Sequence, residues 1–532
     1  MTDLSTTAGK LADLTARLTE AQAPVGDRAI AEAHEAGRLT ARERIGALLD
    51  ASSFVEVDAL ARHRVSEYGL DSTRPTTDGV VAGYGTVAGR KVCVYAQDAS
   101  IFDGRLGEVY GEKILKIYRL AIKTGVPVIA FIEGAGARAA EGTAALSFYA
   151  RILAEATQAS GVIPHLAVLT GEVTGPHALL AGAADLTLMV AGQAHLRLTA
   201  TANTASADAA SADSGEEPLG AEAHAEHSCT AHLVAESDAQ AIEALRELLG
   251  YLPSNNRAEA PRPVEARITG SIAENISATD TQLNALIPDD PQAPYDMREV
   301  ITRVVDGQQF LETQSRYATN ILTGFARIEG RAVGIVANQP TQDSGRVDSR
   351  AATKAARFIR TCDAFNIPVI SFVDVPGFVP GTSEELGGAV RSVSKLAYAY
   401  AEASVGTLTV ITRHAIGAAS VVMGAKDLGA DLVFAWPTAQ IAAMHAETAV
   451  PEIHAAELAK AQRKGKDVEA LREKFAAEYN ERHLSPYQAA ERGMVDAVIP
   501  PEHTRGQLVE GLRLLDRKVT YPPAKKHGNI AL

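Results

Sequence analysis

The side chains best suited to proton transfer in this chain are three histidines with one acidic neighbour. They are His177, His414, and His445 with Glu447 two residues on. Imidazole titrates near neutrality, and a His and a Glu that reach one pocket can act as general acid and base. A lone histidine is more often structural, so spacing alone leaves these as candidates. No Ser-His-Asp set can be assigned from the spacing. Cys93, Cys229 and Cys362 lie far apart with no CxxC pair. Neither a zinc ribbon nor a disulfide framework is indicated, so each is expected to be a neutral thiol and no metal is expected. The glycine-rich Glu133-Gly-Ala-Gly-Ala137 ends an apolar run, as a tight turn does.

The elements that must hold these residues follow from the pattern. Residues 1 to about 50 read as helix: Leu11, Leu14 and Leu18 share a face, and Thr40-Ala-Arg-Glu-Arg-Ile45 begins a second helix. Gly79–Val87 and Gly89–Tyr95 read as a β-hairpin turning at Ala88-Gly89. A helix over 107–121 and a buried strand over 126–132 follow. This β-α-β alternation predicts a parallel sheet covered by helices, an α/β fold. The pattern then recurs. Residues 83–92 are echoed at 324–333, and the same offset of 241 relates Lys113 to Lys354 and Pro127 to Pro368. Asp185-Leu186 and Asp427-Leu428 match one residue out of step. The chain is therefore read as a duplicated domain, 1–260 and 261–532, joined by linker chemistry at Pro253-Ser-Asn-Asn and Ala260-Pro-Arg-Pro263. Residues 199–217 are almost wholly Ala, Thr, Ser, Asp and Glu, and are expected to form a mobile loop or weak helix.

The net charge of −14 argues against nucleic acid, which needs basic surface, though a local patch can still hold an anionic ligand. No apolar run approaches the ~18 residues of a membrane helix. Met1–Leu18 lacks a signal-peptide core, so a cytoplasmic location is expected.

Several stretches resemble the carboxyltransferase (β) subunits of biotin-dependent acyl-CoA carboxylases. Among them are Asp78-Gly-Val-Val-Ala-Gly-Tyr-Gly, Leu106-Gly-Glu-Val-Tyr-Gly-Glu-Lys, Tyr251-Leu-Pro-Ser-Asn-Asn, Asn338-Gln-Pro-Thr, Phe372-Val-Asp-Val-Pro-Gly-Phe and Leu428-Gly-Ala-Asp-Leu-Val-Phe-Ala-Trp-Pro-Thr-Ala-Gln. The resemblance spans most of the chain. It implies two tandem crotonase-type domains, assembly as a hexamer, and work with a separate biotin-bearing subunit. A carboxyl group passes from carboxybiotin to the α-carbon of an acyl-CoA. The site lies between the first domain of one chain and the second domain of its neighbour. Enolate and ureido oxygens both become negative in this reaction, and backbone N–H groups at helix starts suit them.

By this resemblance, the two oxyanion turns fall on Gly175-Pro176-His177 and on Gly417-Ala418-Ala419. Proline has no N–H, so Pro176 removes a donor worth roughly a hundred- to thousandfold in rate if position 176 serves the hole. It also suits a first helical position. Gly136, Ala137 and Arg138 keep the shape of the family's Gly-Gly-Ala-Arg turn and are implied on the substrate side. Asp103-Gly104 stands for a glycine pair. Ala418 adds a methyl that crowds a ligand close to the backbone. Val421 replaces an acidic residue facing the acyl tail, so a longer or bulkier acyl group is expected. His445-Ala-Glu447-Thr replaces Gly-Ala-Gln-Gly. The carboxyltransferase reading stands beside two others: a non-catalytic or regulatory paralogue, and a biotin-independent crotonase-fold enzyme using His177 or His445 for decarboxylation or acyl transfer.

Overall fold

Three helices open the chain: α1 (Thr7–Glu20), α2 (Asp27–Glu35) and α3 (Ala41–Leu48). The third starts where the sequence signals it. The Thr40 side chain accepts from the Glu43 amide while the Glu43 carboxylate reaches back to the Thr40 amide, a reciprocal cap. The shared leucine face of α1 is exposed. The computed structural model describes residues 3–199, 219–263 and 271–531, so positions 200–217 of the expected insert lie outside the described residues. The chain divides into two units, Met1–Glu259 and Ala260–Leu532.

In the first unit the strands are β1 (Val55–Glu56), β2 (Val80–Val87), β3 (Arg90–Gln97), β4 (Val128–Gly134), β5 (His165–Thr174), β6 (Leu186–Val190), β7 (His195–Arg197) and β8 (Leu233–Ala235). The hairpin β2–β3 turns through Ala88 and Gly89, both at positive φ, which matches the strand twist. From β3 onward the pairs are parallel, in the order β1-β2-β3-β4-β5-β6-β8, with β7 beside the end of β5. α4 (Glu108–Thr124) and α5 (Thr143–Ala159) pack on one face, burying Tyr110, Ile114, Ile152 and Phe148 against Val80, Cys93 and Tyr95. Successive strand residues point to opposite faces, and Val81, Val94 and Ala96 are equally buried. The sheet is covered on both sides, which explains its continuous apolar strands. α6 (Pro176–Gly182) follows β5, and α7 (Asp238–Tyr251) follows β8.

The second unit repeats this plan with β9 (Phe310–Thr313), β10 (Ile321–Ile328), β11 (Arg331–Asn338), β12 (Val369–Val375), β13 (Thr407–Ile416), β14 (Leu432–Ala435), β15 (Gln440–Ala442) and β16 (Ala497–Val498). The order is β9-β10-β11-β12-β13-β14-β16, with β15 beside β13. Its named helices are α8 (Met297–Val304), α9 (Ser349–Ala364), α10 (Ala389–Glu402), α11 (Gly417–Val421), α12 (Ala446–Ile453) and α13 (Thr504–Leu514). Lys113 and Lys354 play one role in the two copies. Both are buried and donate to backbone carbonyls, Lys113 to Thr77 at 3.0 Å and Lys354 to Gln314 and Tyr317 at 2.9 and 2.8 Å. One sequence match needs correction. Asp185 accepts from the His165 amide and precedes β6, and its counterpart is Asp431, which accepts from the Thr407 amide and precedes β14. Asp427 lies four residues earlier, because the second copy carries four extra residues between its bend and β14.

Candidate active site

Each sheet ends in a pair of adjacent loops. In the first unit β4 and β5 run side by side to Gly134 and Val173, and the chain then leaves through Ala135–Arg138 and through Gly175. Gly175 sits at φ 60°, which favours glycine, and its N–H already donates to the Arg197 carbonyl at 3.1 Å. Pro176 is the first residue of α6 and has no N–H to offer. The Ala178 amide donates to the Gly175 carbonyl at 3.1 Å, which leaves His177 to supply the first-turn amide. Gly136 is the near neighbour of this bend: a Cβ there would lie 3.8 Å from the Thr174 carbonyl oxygen and 3.9 Å from Pro176 Cδ. Ala137 bridges Leu106 and is half-buried.

Two residues expected on the ligand side face inward instead. The His177 ring is fully buried below the bend. Nδ1 meets the Tyr149 hydroxyl, and the ring stands edge-on to Tyr110 and Tyr149. Burial drives its pKa down to about 3, so it is neutral and does not face the opening. Arg138 is also enclosed. It pairs with Asp78 at 2.8 Å and Glu141 at 2.7 Å and lies over the Phe102 ring at 4.5 Å. Its charge is matched by two carboxylates, so it ties loops together rather than holding a ligand.

In the second unit β12 and β13 end side by side at Val375 and Ala415, and β15 flanks β13 with Ala442 beside Ile416. Gly417, at φ 64°, makes the bend. Ala418 and Ala419 keep their N–H groups and, in the first turn of α11, have no intrahelical acceptor. Ala418 is exposed, so its methyl does project outward; Ala419 is buried. Val421 ends α11 and is 49% exposed, an apolar side chain left in the open beside the bend. In the loop that follows β12, the Gly377 N–H meets no protein acceptor among the described residues, and a Cβ on Gly377 would touch nothing within 4 Å.

The second-unit histidines behave differently from each other. His414 is buried at the base of the bend, its Nδ1 2.8 Å from Asp374, whose other oxygen accepts from Arg413 Nε at 3.0 Å. His445 is half-buried and donates from Nε2 to the Pro376 carbonyl at 2.7 Å. Glu447 is exposed in the first turn of α12, and His445 bonds the Pro376 carbonyl and not Glu447, so the expected acid–base pair is not assembled. Cys93 and Cys362 are buried thiols pushed up in pKa by desolvation, Cys93 to about 12. Two buried carboxylates were missed by sequence reasoning. Glu133 accepts from Arg44 at 3.1 Å and from the Ala99 amide at 3.1 Å, at the place Asp374 takes in the second copy. Both are acidic at the offset that relates the copies, which is the signal that could have found them.

Residues 32–530 match the Carboxyl transferase domain family. The chain belongs to the carboxyl transferase family. The biotin-dependent acetyl-/propionyl-coenzyme A carboxylase beta5 subunit of Mycobacterium tuberculosis is 51% identical over 530 residues, 100% of this chain and 96% of that one. The propionyl-CoA carboxylase beta chain of Saccharopolyspora erythraea is 51% identical over 531 residues, 100% of this chain and 97% of that one. The crystal structure of transcarboxylase 12S, with methylmalonyl-coenzyme A and methylmalonic acid bound, superposes with a TM-score of 0.92 at 39% identity, covering 99% of this chain and 98% of that one. This carboxyltransferase thus has the two-domain crotonase-like fold. The relatives are enzyme subunits, and nothing in them favours the non-catalytic or biotin-independent readings. Among the described residues no helix is long and apolar enough to cross a membrane.

Proposed function

We propose that this chain moves a carboxyl group from carboxybiotin, carried by a partner subunit, to the α-carbon of an acyl-CoA whose acyl group is longer or bulkier than propionyl. The observation that carries the reading is the Gly417 bend, with free first-turn amides at one end of α11 and half-exposed Val421 at the other. Those amides suit an oxygen that turns negative as the thioester enolate forms. Carboxybiotin supplies the carboxyl group and, once that has left, a ureido base, so the chain itself needs few titratable groups. Its own work is to bind, orient and stabilise charge. In the first unit Gly175 and His177 flank the second such position, where Pro176 withholds a donor; Gly136 and Ala137 border it. Val421 offers the acyl tail an apolar wall, worth about fourfold in affinity for each further CH₂ buried.

The Mycobacterium tuberculosis relative is named as a biotin-dependent carboxylase subunit, and the transcarboxylase 12S structure is described as a hexamer assembly. We extend both to this chain: a homo-hexamer acting with biotin carboxylase and carrier subunits in the cytoplasm, its sequence divided into two carboxyltransferase domains, 1–260 and 261–532. The test is carboxyl transfer by this chain assembled with its biotin-bearing subunit, with labelled bicarbonate and a panel of acetyl-, propionyl-, longer and branched acyl-CoAs. Longer chains are expected to show the higher kcat/KM, and Val421→Asp to reverse the order towards propionyl-CoA. Failure with every acyl-CoA rejects the function; an unchanged order in V421D rejects the role of Val421.

A further inference from the structure

We propose that His445 is a positioning residue for this reaction: by hydrogen-bonding the Pro376 carbonyl it orients and polarises the Pro376–Gly377 peptide beside the second bend. Three strand ends lie together here. Val375 of β12 pairs with Ala415 of β13, and Ile416 of β13 pairs with Ala442 of β15. The chain that follows β15 passes against the bend, since a Cβ on Gly417 would lie 3.4 Å from the Ala443 carbonyl oxygen. His445, three residues past Ala442, then reaches the loop after β12 and donates from Nε2 to the Pro376 carbonyl at 2.7 Å. A carbonyl only accepts, so this bond assigns the proton to Nε2.

The consequence falls on the other end of the same peptide. Its plane is rigid, with C=O and N–H opposed, so holding the carbonyl also aims the Gly377 N–H. A peptide whose carbonyl accepts a hydrogen bond becomes a stronger donor at its N–H, by roughly 10–30%. Gly377 N–H has no protein acceptor among the described residues, a Cβ on Gly377 would meet nothing within 4 Å, and its own carbonyl is held by the Val347 amide at 3.2 Å. His445 therefore joins α12 to the loop that faces the Gly417 bend and tunes a donor in it. In the first unit the Ala135 carbonyl, at the corresponding place, receives no side-chain donor among the described residues.

This inference rests on reading the Gly417 bend as the oxyanion site, and the experiment separates the two. The chain assembled with its biotin-bearing subunit is compared with H445A and H445Q, using propionyl-CoA and the preferred acyl-CoA. Glutamine keeps an N–H donor for the Pro376 carbonyl; alanine does not. H445A is expected to lower kcat about tenfold with KM for acyl-CoA within about twofold, and H445Q to recover to within about threefold of the parent. Hydrogen exchange over residues 374–380 is expected to quicken in H445A and return in H445Q. Parent-like kcat in H445A, a loss confined to KM, or a glutamine variant as slow as alanine overturns the proposal. So does unchanged exchange. If the parent chain turns over no acyl-CoA, the functional reading fails, and the exchange comparison still decides His445.

Discussion

Pro176 occupies the first position of α6, where its fixed φ and missing N–H are no burden to the helix. The same missing N–H is a loss to any anion placed at that helix start. Pro176→Gly restores the donor, and kcat for carboxyl transfer is expected to rise at least about tenfold, with a helix destabilised by up to about 1 kcal/mol. A melting temperature that falls while kcat stays put would show that position 176 contributes no donor. The neighbours of Pro176 and Gly136 show how far residue types carried the reading. Their location beside the bends was implied by the resemblance of their motifs to the family's turns. Their direction was not. His177 is turned into the core by Tyr110 and Tyr149, and Arg138 by Asp78, sixty residues away in the chain, and by Glu141.

β5 and the helix that follows it carry two buried neutral histidines. His165 starts the strand, meets the Tyr118 hydroxyl at 2.9 Å, and has its pKa lowered to about 4 by burial; His177 is lowered to about 3. The unfolded chain binds protons on both from about pH 6.5 downward, while the folded chain does not. The stabilisation is therefore complete above pH 6.5 and is lost as the pH falls through 4 towards 3. Hydrogen exchange over 165–177 is expected to accelerate steeply across this window, and His165→Gln with His177→Gln to flatten the slope. An equal slope in the double variant would mean that other groups drive acid unfolding. At this scale the strands and covering helices were readable because their periodicity is local. The match of Asp427 to Asp185 failed because Lys426-Asp-Leu-Gly-Ala-Asp-Leu432 contains Asp-Leu twice, and only strand register selects Asp431.

Across the whole molecule the duplication extends to single backbone angles. Phe102, Asp103 and Gly104 all have positive φ, and so do Asp343, Ser344 and Gly345 at the same offset of 241. Both glycines are held under strand ends: a Cβ on Gly104 would lie 2.8 Å from the Glu133 carbonyl oxygen, and on Gly345 2.5 Å from that of Asp374. The amides of Glu133 and Asp374 in turn donate to Gln97 and Asn338. Gly104→Ala and Gly345→Ala are each expected to destabilise by about 2 kcal/mol or more, from φ strain and contact with backbone that cannot yield. Hydrogen exchange should quicken in the unit that carries each change. Two unaffected variants would mean that these loops relax freely.

The sequence by itself determined the α/β class and the twofold repeat, because those depend on local periodicity, and its resemblance to carboxyltransferase subunits implied the family and the place of both glycine bends. Only the tertiary structure decided which side chains serve the bends. Arg138, His177, His414 and His445 take their directions from Asp78, Tyr149, Asp374 and Pro376, each well removed along the chain. A side chain turns towards the partner that compensates its buried charge or polar atom, and which partner is near is settled by strand register and loop packing rather than by spacing.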